Sequence, residues 1–246
     1  MDGWCSVADL TRWGFAHARV VMVNEAHNGW LRCARTRAVG IEVVRAAHEV
    51  GVRRLAMEAL NPRPGRGRGP FREIEDCTGP YLEQPDMRRL VATALELGWS
   101  LWAYEAETDF EGRPDPAYLR SIEHANWRDR EQARNLAGLV ADAPGEPLLV
   151  WAGWGHIHRD ATANWVPMGC HFAGLAGAEP FIIDQTVTIS TGDRPQPWVA
   201  ELLDGLGDVL DRCGGTAGIR REHAPPPLNE WHGVDAVVVS RENELT

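Results

Sequence analysis

Short apolar segments alternate along the chain with segments of helical periodicity. In the segment 36–50, for example, Val39, Val43, Ala46 and Val50 recur at the spacing of one helix face. The predicted strands cover 20–23, 53–57, 100–104, 147–151, 180–189 and 235–239, and the predicted helices cover 36–50, 87–97, 116–140 and 199–210. Such alternation is typical of an α/β fold, with a mostly parallel central sheet flanked by helices.

The bulk composition narrows the class of protein. A chain of 246 residues with 44% hydrophobic residues fits a single α/β domain over 1–246. Its net charge of −10 disfavours nucleic acid and anionic membrane surfaces as partners. The eleven Trp are many beside three Tyr and five Phe, which suggests that some indoles line a site.

The cysteines and the apolar runs indicate the compartment. Five scattered cysteines without a C-x-x-C pair make neither a disulfide framework nor a zinc knuckle. The segment 1–15 lacks the pattern of a signal peptide, and no apolar run approaches the roughly 18 residues that span a bilayer. We therefore expect a cytoplasmic protein.

Four predicted strands each run directly into a charged or histidine-bearing turn. In parallel sheets, sites form beyond the carboxyl ends of the strands, where such turns converge. The side chains expected at this one rim are Glu25, His27, Glu58, Glu105, His156 and His158.

The first two turns offer a carboxylate and an imidazole for one cleft. Glu25 and His27 leave the strand two residues apart, although a helix N-cap with a surface histidine would look the same. Glu58 ends a buried strand, where an unpartnered carboxylate costs several kcal/mol. We expect His27 or Arg130 to be its partner, and at least one of Glu25 and Glu58 to contact an Arg or His.

The fourth turn reads Gly153-Trp154-Gly155-His156-Ile157-His158. The G-x-x-H spacing occurs three times in the chain and carries no weight alone, but here it directly follows a strand. Glycines at that position allow a sharp turn and close approach of a ligand. The alternative is a glycine-rich turn with a solvent-exposed histidine.

The helix over 116–140 adds a candidate cation. Its predicted inward row contains Asn126, Arg130, Ala133, Ala137 and Val140, with polar first turns toward the site. Arg130 would be an anion clamp or a charge partner for Glu25 or Glu58, and an exposed arginine is the alternative. We assign substrate binding to Arg130, His158, Glu105, Trp154 and Asn126.

Four segments resemble the superfamily that joins erythromycin esterases, ChaN-like haem-binding proteins and Tiki/TraB-type proteases. They are VVMVNEAH at 20–27, LAME at 55–58, RDREQARNL at 128–136 and WAGWGHI at 151–157. The resemblance implies an α/β fold with two histidine turns facing each other across the site. It places the two histidines on His27 and His156, the acidic partners on Glu25 and Glu58, and the arginine on Arg130.

The three branches imply different chemistry for the same residues. In the esterases the first histidine is thought to activate water, in the Tiki branch comparable residues hold a divalent metal, and in the ChaN branch the pocket takes up haem. A haem- or metabolite-binding protein and a metal-dependent peptidase are therefore the alternatives to an esterase-like enzyme.

The function we expect is hydrolysis of an ester, lactone or amide, or a related elimination or cyclisation, in specialised metabolism. The substrate would be a small molecule or short peptide. His27 would act as general base, oriented by Glu25 or Glu58, while His156 and Arg130 stabilise the developing oxyanion. We expect His27 and His156 to share one pocket.

A divalent metal and haem stay open as cofactors, but neither is favoured. Two histidines and two glutamates could coordinate zinc or manganese. Against this, two like unit charges about 5 Å apart repel by roughly 3 kcal/mol at an effective dielectric near 20, so an arginine at the carboxylates would weaken metal binding. The sequence does not indicate the oligomeric state.

Overall fold

The computed structural model describes residues 3–26, 30–62, 67–107, 115–189, 197–231 and 233–241. The strands are β1 (Trp4–Cys5), β2 (Val20–Glu25), β3 (Arg54–Met57), β4 (Asn61–Pro62), β5 (Cys77–Thr78), β6 (Ser100–Ala103), β7 (Leu148–Gly153), β8 (Phe181–Asp184), β9 (Thr216–Arg220) and β10 (Ala236–Ser240). The helices are α1 (Val7–His17), α2 (Trp30–Glu49), α3 (Pro85–Glu96), α4 (Pro116–Leu119), α5 (Ile122–Asp142), α6 (Met168–Ala176), α7 (Pro197–Gly205) and α8 (Gly207–Arg212).

One large sheet organises these elements and confirms the predicted α/β class. In the described ranges it has eight strands in the order β1-β9-β10-β8-β2-β7-β3-β6, while β4 and β5 form a separate antiparallel pair. The neighbours from β10 to β6 pair in parallel, and β9 pairs antiparallel with both β1 and β10. The sheet is therefore mostly parallel, as the alternating pattern predicts.

Helices cover both faces of the sheet, so its central strands are buried on both sides. The helices α1, α2 and α3 pack on one face, where the core includes Leu10, Val43 and Leu90. On the other face the core includes Leu136 from α5, Phe172 from α6 and Val209 from α8. Strands buried on two faces read as continuous apolar runs, which is why β2 and β7 are recognisable in the sequence.

Several boundaries differ from those predicted. The predicted helix over 116–140 is two helices, because Ser121 caps the start of α5 by accepting a hydrogen bond from the His124 amide at 3.1 Å. The predicted helix over 199–210 is likewise divided into α7 and α8. The elements α1, α6 and β9 were not predicted, and the predicted strand over 180–189 ends at Asp184.

The order of the central strands determines what meets at the rim. β2 lies between β7 and β8, with Glu25 in register with Gly153 and Val23 in register with Ile183. The carboxyl ends of these parallel strands therefore lie side by side. In the described part of the chain, no helix combines the length and the apolar character that crossing a membrane requires.

Candidate active site

The carboxyl end of β2 carries two fully buried polar residues, Asn24 and Glu25. The Asn24 side-chain amide donates to the Trp154 carbonyl at 2.9 Å and to Asp184 Oδ1 at 2.8 Å. Its Oδ1 accepts from the Gln185 amide at 2.9 Å. Asn24 thus ties the end of β2 to the turn after β7 and to the segment after β8.

Glu25 forms a buried ion pair with Arg37 of α2. The guanidinium donates through Nε to Glu25 Oε2 at 2.9 Å and through Nη2 to Oε1 at 3.1 Å, and both side chains are at most 1% exposed. The indole of Trp151 donates to the same Oε2 at 3.0 Å. This geometry orients Glu25 toward α2 and confirms that one of the two predicted carboxylates contacts an arginine.

Glu58 and Glu105 share a second arginine, Arg128, in the first half of α5. Arg128 Nη2 donates to both carboxylates, and its Nε donates to Glu105 Oε1 at 2.9 Å. Glu58 also accepts from the backbone amide of Gly153 at 2.6 Å. Burial alone would lower the pKa of Arg128, but its hydrogen bonds and charge pairing with Glu105 and Glu58 raise it, so the guanidinium stays charged.

His156 is held through one nitrogen by Asp129 of α5. Its Nδ1 lies 2.5 Å from Asp129 Oδ1, and the Asp129 side chain is fully buried while His156 is 19% exposed. The same carboxylate accepts from the Trp165 indole at 2.6 Å and from the Met168 amide at 3.2 Å. With these donors around Asp129, Nδ1 of His156 is the protonated nitrogen and Nε2 is left for other partners.

The charges around His156 determine its protonation. Burial lowers the pKa of His156, but the negative charge of Glu58 and the hydrogen bond and charge of Asp129 outweigh it, so that this pKa is raised. The imidazolium form therefore persists to a higher pH than in a free histidine.

His158 is held by a second buried carboxylate. Its Nε2 lies 2.8 Å from Asp184 Oδ2, and the Trp231 indole donates to that oxygen at 3.1 Å. Burial raises the pKa of Asp184, whereas its hydrogen bonds from His158, Asn24 and Thr186 lower it by more, so Asp184 stays ionised.

The turn that carries both histidines has a strained backbone. Trp154 has φ +37°, an uncommon value for a residue with a side chain. The Asn24 amide holds the Trp154 carbonyl in this conformation. Such strain persists where the surroundings fix it, and it is frequent at functional sites.

The structure brings together most of the residues predicted for the rim. Glu58 and Glu105 meet at Arg128, and the charge of Glu58 acts on His156. Glu25 lies at the same end of the sheet but is committed to Arg37 and Trp151. His27 lies outside the described residues, so the pocket predicted for His27 and His156 stays a prediction.

Two predictions for α5 need correction or comment. The charge-partner role predicted for Arg130 is wrong, since its side chain is 48% exposed and pairs with Glu131 at 3.9 Å. The partner of Glu58 is Arg128, two residues earlier in the helix. Asn126 donates to the Asn164 carbonyl and accepts from the Val166 amide, both at 2.8 Å, and thereby holds the loop that carries Trp165.

Four further side chains belong to the site and were missed in the sequence. They are Arg128, Asp129, Asp184 and Tyr81. Burial and then the charges of Glu58 and Glu25 raise the pKa of Tyr81, and the Arg37 guanidinium lies 5.8 Å from the centre of its ring. A signal existed for Asp184, an acidic residue at the end of an apolar run in the sequence, as Glu25 and Glu58 are.

Comparisons with known proteins identify solved structures with a similar fold, but they do not identify a family for this chain. No family model and no curated protein matches the sequence. Solved structures with a similar fold include ChaN of Campylobacter jejuni, a haem-binding protein, at 9% identity and TM-score 0.49, covering 96% of this chain and 90% of that one.

Two bacterial toxins also have a similar fold. A structure described as bacterial protein toxins matches at 12% identity and TM-score 0.49, covering 78% of this chain and 38% of that one. RRSP, a MARTX toxin effector domain of Vibrio vulnificus, matches at 12% identity and TM-score 0.45, covering 78% and 37%. The chain thus spans well under half of either toxin. The resemblance of the sequence to erythromycin esterases and Tiki proteases stays a prediction.

Proposed function

We propose that this protein is a hydrolase-type enzyme that cleaves an ester, lactone or amide bond in a small molecule or short peptide, with His156 as its central group. The observation that carries the proposal is the buried Asp129–His156 pair. Asp129 is fully buried and fixed by Trp165 and Met168, and it holds an imidazole that still reaches solvent. A carboxylate that fixes the orientation and tautomer of an imidazole is an arrangement that enzymes use for acid–base catalysis.

His156 would act in its protonated form. Its Nδ1–H is held by Asp129, so its Nε2–H is the group that can donate to a substrate oxygen as negative charge develops there. The raised pKa of His156 extends this charged form to a higher pH than in a free histidine. A charged donor in a site that is largely closed to water stabilises such an oxyanion more than a neutral one would.

Arg128 would hold Glu58 in place beside His156. It binds Glu58 and Glu105 together, and the Gly153 amide fixes the other oxygen of Glu58. Glu58 in turn favours the charged form of His156. In this proposal Arg128 takes the charge-pairing role that the sequence assigned to Arg130.

The base that activates water would be His27, as the sequence predicts. It follows Glu25 by two residues in the sequence, and Glu25 is in register with Gly153, which precedes the turn of His156. In the proposed reaction, His27 takes a proton from the attacking water while His156 stabilises the oxyanion, and the acyl–oxygen or acyl–nitrogen bond then breaks. The same two groups could also run an elimination or a cyclisation.

Catalysis without a metal is part of this proposal. Within the described ranges, no three His, Cys, Asp or Glu side chains are grouped so that they could hold a metal ion, and His27 lies outside those ranges. The support comes from Arg128, a permanent cation that hydrogen-bonds both Glu58 and Glu105 and so occupies carboxylate oxygens that a divalent ion would need.

The test is turnover on a panel of aryl and alkyl esters, lactones and short peptide amides. We expect at least one substrate to be hydrolysed, and His156→Gln to reduce kcat/KM by about 100-fold or more. The matched control is His223→Gln, which removes a histidine that is 44% exposed and pairs with Glu222. Equal activity in wild type and His156→Gln would contradict the proposal.

Two further arms of this experiment separate the alternatives. Activity that survives exhaustive chelation supports the metal-free mechanism, whereas activity that is lost and then restored by one divalent ion points to a metal-dependent peptidase. A haem Soret band on mixing, shifted by His156→Gln, together with no turnover on any substrate, would indicate a binding protein.

A further inference from the structure

The site contains a second carboxylate–imidazole pair that the proposed reaction does not yet use. Asp184 is fully buried and accepts hydrogen bonds from His158, Trp231, Asn24 and Thr186, the last through both its amide and its hydroxyl. Without the imidazole, four of these five hydrogen bonds would remain. The buried charge of Asp184 is therefore well satisfied without a histidine, and the presence of an imidazole needs another reason.

The two histidines present opposite nitrogens. His156 is bound through Nδ1 and leaves Nε2, whereas His158 is bound through Nε2 and leaves Nδ1. Among the described residues, neither remaining nitrogen has a hydrogen-bond partner. His158 is 22% exposed, close to the 19% of His156, so both side chains of this turn reach solvent.

Gly155 lies beside Trp165 and His158. A Cβ added to Gly155 would lie 3.1 Å from the Trp165 ring and 3.6 Å from His158 Nδ1. Trp165 itself packs edge-on against His156, with ring centroids 5.7 Å apart. The free Nδ1 of His158 therefore lies near Gly155 on the side of Trp165, whose ring also contacts His156, and a side chain at position 155 would fill the space between Trp165 and His158.

We propose that His158 is a second catalytic residue of this cleft, the proton donor to the leaving group. The inference rests on the proposed hydrolysis and adds the step which that mechanism lacks. As the acyl bond breaks, His158 passes its Nδ1 proton to the departing oxygen or nitrogen, while Nε2–H stays bonded to Asp184. His27 holds the proton taken from water, and exchange with solvent returns both histidines to their starting states.

The test compares substrates that differ only in how much their leaving group needs a proton. The p-nitrophenolate of p-nitrophenyl butyrate leaves as a stable anion, whereas the ethoxide of ethyl butyrate needs protonation. In His158→Gln the glutamine amide can still donate to Asp184, but no acid remains. We expect kcat on ethyl butyrate to fall about 100-fold or more, and kcat on p-nitrophenyl butyrate to change by less than about threefold.

Trp231→Phe is the matched control for a purely structural role. It removes the other hydrogen bond to Asp184 Oδ2 and leaves His158 in place. We expect kcat on the two esters to change by the same factor in Trp231→Phe. If His158→Gln lowers the two rates by the same factor, or if Trp231→Phe discriminates between the esters as His158→Gln does, the proposed donor role is overturned.

A measurement that needs no substrate tests the geometry separately. Nitrogen-15 spectra of the neutral rings should show His156 protonated at Nδ1 and His158 protonated at Nε2, and diethyl pyrocarbonate should acylate His158. The same tautomer at both positions, or a His158 that stays unmodified while His223 reacts, would overturn the inference. The expected tautomers and reactivity with no turnover on any ester would instead count against hydrolysis itself.

Discussion

At the residue scale, the buried carboxylates at the strand ends dictate which side chains surround them. Burial of Glu58 at the end of an apolar strand is enough to predict a cationic or histidine partner from sequence, and the structure confirms the contact. The partner's identity is not readable in the same way. Arg37 is twelve residues from Glu25 and Arg128 is seventy from Glu58, so each pairing depends on how a helix lies on the sheet.

The Glu25–Arg37 pair gives a prediction on stability. Arg37→Met would leave Glu25 buried beside Trp151 without its cation, and we expect the free energy of unfolding in urea to fall by about 3–5 kcal/mol. Arg12→Ala is the control, since it removes an arginine that is 37% exposed and pairs with Asp9 and Glu49, and should cost at most about 1 kcal/mol. A similar small loss in both variants would show that the buried pair does not stabilise the fold.

At the element scale, the rotation of α5 decides which residues reach the site. The predicted inward row contains Ala133 and Val140 correctly, but the buried face also includes Asp129, Gln132 and Leu136. A prediction based on the spacing of apolar residues assigns an aspartate to the outward face of the helix. Here the hydrogen bonds from His156, Trp165 and Met168 allow Asp129 to be buried, and those partners lie far away in the sequence.

This rotation predicts different effects for two arginines two positions apart. Arg128→Ala leaves Glu58 and Glu105 close together without their shared cation, so we expect about 2 kcal/mol of destabilisation, less than for a fully buried pair because Arg128 is 28% exposed. The turnover rate should also fall in Arg128→Ala. Arg130→Ala should change stability by less than about 0.5 kcal/mol and leave turnover unchanged. Thermal melts and turnover rates of both variants test this prediction. A larger loss of stability and turnover in Arg130→Ala than in Arg128→Ala would restore Arg130 as the site arginine.

Helix α6 supports the histidine turn through one glycine. A Cβ at Gly169 would lie 2.0 Å from the Ile157 carbonyl oxygen and 2.9 Å from that of His158, so Gly169→Ala must displace the turn. We expect lower thermal stability, by about 1–3 kcal/mol, together with loss of turnover. In the same helix, Gly174→Ala meets no atom within 4 Å and should stabilise by up to about 1 kcal/mol. Wild-type activity and stability in Gly169→Ala would mean that α6 does not fix the turn.

At the scale of the whole molecule, the sheet brings together groups that are distant in the sequence. Asn24 meets Asp184 and Trp154 because β2 lies between β8 and β7. The periodicity predicts parallel strands and a common rim, which is why Glu58, Glu105 and His156 could be proposed for one site. Strand order is a matter of long-range pairing that no local pattern encodes, so the pairing of Asp129 with His156 and of Asp184 with His158 could not be assigned in advance.

The central claim is that His156 works as an imidazolium held by Asp129, and the pH dependence of kcat/KM tests it most directly. Activity that needs the protonated form of His156 falls as the pH rises through its pKa, whereas the need for a neutral His27 base limits activity on the acid side. Since Glu58 and Asp129 raise this pKa above the ordinary 6.5, the alkaline midpoint should lie above that value. In Asp129→Asn, which removes one of the two negative charges, the midpoint should move to lower pH. A midpoint that stays in place in Asp129→Asn would contradict the account.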